Sequence, residues 1–175
     1  VGSTESIDRF AGGGGARATI DLWRDFDGGW RHIATPEERR EHEALMVLTE
    51  AGWERDNPCY RGLFSRSFMP DANSEELNWF DEFQRHTTSP TNAVRLLDAV
   101  SRIDVRDRLR DVKTPTLVLH SQRDSAIPFA TGRTLAARIP NAHFAAVDSG
   151  NHLLLGRERA AGEFLQHVRR FLRQD

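Results

Sequence analysis

Cysteine is nearly missing from this chain. Cys59 is the only one in 175 residues, which excludes an internal disulfide framework and a thiolate metal cluster and suits a reducing compartment. Long apolar runs are missing too. None approaches the roughly 18 residues that a membrane span needs, and the N-terminus lacks the apolar core of a signal peptide. Neither sign of charge is in excess: 24 Lys and Arg stand against 26 Asp and Glu, a net charge of −2. That balance gives no electrostatic footprint for nucleic acid or for a membrane surface. The expectation is a cytoplasmic protein with neither as partner. No internal repeat is visible. His32, His42, His86, His143 and His167 have no metal-ligand spacing and there is no HExxH, so no metal and no cofactor are expected.

Glycine is concentrated in one place. Gly12 to Gly15 follow no predicted strand and precede no Lys-Ser or Lys-Thr, which argues against a phosphate-binding loop. Ala11 stands where a lipase-type oxyanion loop would carry His. Residues 1–17 therefore read as a flexible N-terminal segment.

The rest suits one soluble globular domain, with 38% hydrophobic and 29% charged residues. Alternation predicts a short strand over Ala18 to Trp23, with Ile20 and Leu22 on one face. From Thr35 to about Val105 the period is helical. Thr35-Pro36 followed by Glu38 makes a capping-box start. Asn57-Pro58 breaks the first helix. A shorter one carries Tyr60, Leu63, Phe64 and Phe68. Ser74 is the expected cap of the next, with Leu77, Phe80 and Phe83 on one face, and Ser89-Pro90 opens another with Val94, Leu97 and Val100 inward. A last helix, about Arg157 to Arg173, sets Phe164, Leu165, Val168, Phe171 and Leu172 on one stripe. The aromatic cluster Trp53, Tyr60, Phe64, Phe68, Trp79, Phe80 and Phe83 reads mainly as helix packing.

The stretch Thr114 to Leu155 carries the chemistry. Thr116 to His120 is an apolar run bounded by Pro115 and a polar loop, as a buried parallel strand is. An acid-bearing loop, Ser121 to Pro128, is followed by a helical segment, Phe129 to Ile139. A second apolar run, His143 to Val147, ends in Asp148-Ser149-Gly150-Asn151-His152. A strand–helix–strand crossover puts both loops at the carboxyl ends of neighbouring strands, where open α/β sheets bind ligands. Asp124 and His152 then meet. A carboxylate on one imidazole nitrogen fixes the tautomer and stabilises the imidazolium formed when the other nitrogen takes a proton. Taken singly, Asp124 reads more readily as the former of an Asx-turn and His152 as a surface residue.

The runs "TPTLVLHSQRDSAIP" and "DSGNHLLL" resemble the C-terminal third of α/β-hydrolases. The resemblance implies Asp124 as triad acid and His152 as triad base, in the family's order of nucleophile, acid, histidine. Ser121 stands where the family usually has Gly. The helical stretch of about residues 35–105 would then be the cap over the substrate pocket. The wording of residues 29 to 172 is similar to hydrolase modules fused to bacterial nucleotide cyclases or LuxR-type regulators, which implies a bacterial source and a signalling context. The family's nucleophile sits in Gly-x-Ser-x-Gly. Neither Cys59 nor any serine has glycine at both flanking positions. Ser3 follows Gly2, with no strand upstream to carry the turn. By resemblance the nucleophile belongs before residue 1, and the chain is expected to be truncated relative to the family.

The expected architecture is a partial α/β-hydrolase fold over residues 18–175, with about three mostly parallel strands and the helical cap. Two functions follow: hydrolysis of an ester-like bond in a small molecule by a protein that this chain completes, or a non-catalytic module that binds a ligand or a partner. The expected associations are a homodimer or a complementing N-terminal half.

Overall fold

A computed structural model describes residues 18–20, 35–55 and 59–173. Its strands are β1 (Ala18–Ile20), β2 (Thr116–Ser121) and β3 (His143–Val147), in the spatial order β1-β2-β3, all parallel. The expected first strand is present over three residues; its continuation to Trp23 lies outside the described residues, as do residues 1–17 and the Glu38 side chain on which the capping box at Thr35 depends.

Every residue of β2 is buried, because helices cover both faces of the sheet. The alternation of a strand divides its side chains between them. Val118 points to one face and joins Ile127, Leu135 and Ile139, with Leu109 from a 3-10 turn (Arg106–Asp111). The helix on that face, Phe129–Arg138, is the crossover between β2 and β3. Leu117 and Leu119 point to the other face, where Phe171, Phe164 and Val168 of the last helix, Arg159–Leu172, meet them. Burying each such side chain contributes about 1.5–3 kcal/mol.

Among the described residues four α-helices lie between β1 and β2 in sequence: α1 (Pro36–Gly52), α2 (Cys59–Phe68), α3 (Ser74–Thr87) and α4 (Pro90–Val100). The crossover and last helices are α5 and α6. Within the inserted layer α1 packs on α4 and α2 on α3. Arg61, 1% exposed, donates from Nη1 to the carbonyls of Trp53 (2.6 Å) and Arg55 (2.7 Å), where α1 ends and leaves acceptors unpaired. Trp53 Nε1 donates to Thr88 O (2.9 Å) and ties that corner to the α3–α4 junction.

Three expectations need correction. Asn73, not Ser74, caps α3: its Oδ1 accepts from Glu76 N and Glu76 returns a bond to Asn73 N. The box needs Glu or Gln three residues ahead, and Ser74 has Leu77 there. Packing does not enclose the whole aromatic cluster: Phe83 is 49% exposed and stacks on Trp79, itself 65% exposed, at 5.6 Å. On α6 the stripe that meets the sheet is Phe171, buried, with Phe164 and Val168, partly buried; Leu165 and Leu172 are exposed. Positions i, i+4 and i+7 share a face, and Leu165 and Leu172 lie one residue, about 100°, further round.

Candidate functional site

Parallel pairing brings the two loops together at the carboxyl edge. The β2–β3 ladder runs on past the strands, with Gln122 N donating to Val147 O (2.9 Å) and Arg123 N to Ser149 O (3.0 Å). Asp124 therefore leaves its strand beside the loop that carries His152.

The Asp124 carboxylate divides its work. Oδ1 accepts from the amides of Ala126 (2.8 Å) and Ile127 (2.9 Å), which is an Asx-turn. Oδ2 lies 2.8 Å from His152 Nδ1. The turn and the pair are thus two uses of one side chain. Both partners are enclosed, with side chains 2% and 6% exposed. A carboxylate only accepts, so His152 Nδ1 carries the proton, and Nε2 is the acceptor of the neutral ring.

Burial pushes the Asp124 carboxyl up, but the His152 hydrogen bond, the Ile127 amide, the attraction of the imidazole and the Ala126 amide together hold it below its ordinary value. A lowered carboxyl favours the fold above the unfolded-state pKa of about 3.9, and that contribution is lost as pH falls through the folded value. The stability gap between wild type and Asp124→Asn should therefore be constant at neutral pH and close below about pH 4, as urea melts across pH 3–7 will record.

The histidine loop is held by Glu158, which the sequence reading passed over. Its carboxylate accepts from Ser149 Oγ (2.6 Å), Asn151 Nδ2 (2.7 Å) and Leu155 N (2.6 Å). The helix α6 that follows anchors this clamp. Ser121, standing where the family usually has Gly, donates its hydroxyl to Asn151 O (2.7 Å). The four-helix layer also reaches the loop. Phe68 O at the end of α2 accepts from His152 N (2.8 Å) and Leu153 N (3.2 Å), and Asn151 Oδ1 accepts from Asp71 N (3.0 Å). The Phe68 and His152 rings lie 5.3 Å apart. The Phe68 carbonyl at the end of α2 thus seats the backbone of the base.

A cavity of about 330 Å³ adjoins the pair. Asp124, His152, Leu119, Leu153, Phe164 and Leu165 line it, so an apolar group fits beside the imidazole. Among the described residues no three His, Cys, Asp or Glu side chains are grouped to hold a metal ion, and no helix is long and apolar enough to cross a membrane. Among the described residues no serine in a strand-to-helix loop has glycine at both flanking positions, and Ser121, which ends β2, commits its hydroxyl to Asn151.

Residues 90–175 match the family described as TAP-like protein, an α/β-hydrolase family. The chain is 34% identical over 91 residues to the "putative carbamate hydrolase RutD" of Serratia proteamaculans, a match covering 50% of this chain and 34% of that protein. It superposes on a hydrolase from Oleispira antarctica with a TM-score of 0.70 at 21% identity, covering 90% of this chain and 56% of the other. An esterase from Exiguobacterium antarcticum gives 0.65 at 20%, covering 78% and 48%. The chain spans about a third of the curated relatives it matches and about half of these solved structures.

Proposed function

We propose that this chain, which has the C-terminal region of the α/β-hydrolase fold, supplies the acid and the base for hydrolysis of an ester-like bond in a small molecule. Asp124 is the acid and His152 the base. A nucleophilic hydroxyl on a segment outside residues 1–175 completes the site. The observation that carries this reading is the 2.8 Å contact between His152 Nδ1 and Asp124 Oδ2, enclosed and beside an apolar cavity.

The chemistry follows from the tautomer. His152 Nε2 takes the proton of the nucleophile as its oxygen bonds to the substrate carbonyl. Asp124, lowered and ionised at neutral pH, stabilises the imidazolium so formed. Nε2–H then protonates the leaving oxygen or nitrogen. Water repeats the sequence on the acyl group and regenerates the nucleophile. Carbamate and ester hydrolysis, for which the relatives are named, share this carbonyl substitution. The four-helix layer is the cap. Its contacts from Phe68 and Asp71 to the histidine loop support that assignment.

Residues 1–175 alone should not hydrolyse p-nitrophenyl acetate above a His152→Ala control, and a fluorophosphonate probe should label no serine in them. Stoichiometric labelling of any serine in this chain would put the nucleophile here and overturn the division of labour. The alternative is a non-catalytic module that binds a ligand or partner, in a bacterial signalling context. An upstream coding sequence without Gly-x-Ser-x-Gly would favour it.

A homodimer or a complementing N-terminal half is the proposed partner, bound at the edge of β1. Among the described residues no strand pairs with that edge, and Leu165 and Leu172 are 49% and 56% exposed. Unpaired edges recruit strands and apolar patches recruit partners. Expressed alone, the chain should elute from size exclusion as a dimer or larger at micromolar concentration. A clean monomer with a concentration-independent melt would contradict this.

A further inference from the structure

The link between α2 and α3, residues 69–73, and the helix turns that flank it touch both loops of the candidate pair. Ser67 O, in the last turn of α2, accepts from Ser125 Oγ (2.8 Å), the residue after the acid. Phe68 O accepts from the amides of His152 and Leu153. Asp71 is held through both of its backbone groups. Its N–H donates to Asn151 Oδ1 (3.0 Å), and its carbonyl accepts from Arg157 Nη2 (2.9 Å). The same guanidinium grips Glu76, in the first turn of α3, by Nε to Oε1 (2.8 Å) and by Nη2 to Oε2 (3.0 Å). The fit is close, since a Cβ at Gly150 would come within 3.2 Å of Asp71 Oδ2. The Arg157 guanidinium first, and the Asn73 amide second, hold the Glu76 carboxyl below its ordinary value, so the grip is ionic at neutral pH. Two adjacent residues thus hold the histidine loop from opposite sides. Glu158 binds it from within, and Arg157 ties it to the four-helix layer.

We propose that Arg157 is a positioning residue, which grips Glu76 and the Asp71 carbonyl, keeps the α2–α3 link on the histidine loop and so holds His152 against Asp124. This rests on the reading of Asp124 and His152 as acid and base, and extends it to a residue outside the pair. A paired Arg–carboxylate contact fixes direction as well as distance, which a single charge does not. An exposed ion pair by itself contributes little. This one acts with the bonds that Phe68 and Asp71 make to the loop, because all of them part when the link lifts.

The test is residue-resolved hydrogen exchange, followed by NMR on the intact chain. In Arg157→Gln the amides of His152 and Leu153 should exchange about fivefold faster, the upper end for loss of an exposed ion pair, while Val118 and Leu119 in β2 keep their wild-type rates. Glu76→Gln loses the charge and keeps the capping box, which takes Gln at that position. It should give the same rise, and the double variant should give no more than either change alone. The His152 Nδ1–H resonance reports on the pair itself, and its exchange with water should quicken by the same factor of about five. Unchanged rates at His152 and Leu153, a rise shared by β2, or effects that add in the double variant would overturn the proposal. Asp124→Asn separates the two readings. If it leaves the His152 Nδ1–H as protected as in wild type, the acid–base pair itself fails. If it removes that protection while Arg157→Gln does not touch it, only the role of Arg157 fails.

Discussion

His152→Ala should lower kcat about a million-fold in a hydrolase that joins this chain to its nucleophile, the order lost when the base is removed from a serine-protease triad. Asp124→Asn should lower it about ten-thousand-fold. The geometry says why the milder change is so costly. At position 124, Oδ1 accepts two amide hydrogens, from Ala126 and Ile127. An Asn must put its carbonyl oxygen there to keep the turn. Its NH2 then occupies the place of Oδ2 and faces His152 Nδ1, donor against donor. The imidazole escapes by moving its proton to Nε2, where it can no longer accept one from the nucleophile. The turn survives and the base is lost, so the variant should fold and fail. Steady-state kinetics with a matched circular-dichroism melt will show whether kcat falls while the fold persists. An Asp124→Asn variant within tenfold of wild type would mean that the carboxylate serves the turn alone.

Gly132→Ala should destabilise the chain by about 2–3 kcal/mol, the usual reach of overpacking, despite the gain of about 1 kcal/mol that Ala brings to an exposed helix. Gly132 lies in α5, and a Cβ there would overlap His120 Nδ1 and sit 2.9 Å from its Cγ. The ring cannot retreat, because Ile127 O and Phe129 hold it. For a chain of this size the loss is a drop of roughly 4–12 °C in Tm. In a His120→Ala background the same change should cost much less, since Nδ1 and Cγ are gone and only the Cβ, 3.2 Å away, remains. An unchanged Tm in the wild-type background would show that α5 stands further from β2 than described.

Those two sites mark where sequence stops being legible. Strands β2 and β3, the helix between them and the two loops could be read directly, because an apolar run bounded by Pro115 and a turn has few other uses. Parallel order then brought Asp124 to His152. In the sequence His120 is only part of a strand: its hydrogen bond to Ile127 O depends on how the acid turn folds back, which no periodicity encodes. Glu158 was missed because its three donors converge only when the loop closes. The cap of α3 was available in the sequence, since Glu76 stands three residues after Asn73 and Leu77 three after Ser74. Leu165, Leu172, Trp79 and Phe83 were assigned to packing because an apolar residue on a helix announces that it is apolar, not whether a neighbour is there to cover it. The substrate is set by the shape of the cap around the cavity, and composition does not give shape.

The most direct test of the hydrolase reading is fluorophosphonate labelling of the chain expressed together with the coding sequence immediately upstream of Val1. The prediction is one labelled serine, in a Gly-x-Ser-x-Gly turn of the added segment, whose labelling His152→Ala abolishes. Label on a serine within residues 1–175, label indifferent to His152→Ala, or no label at all would contradict it.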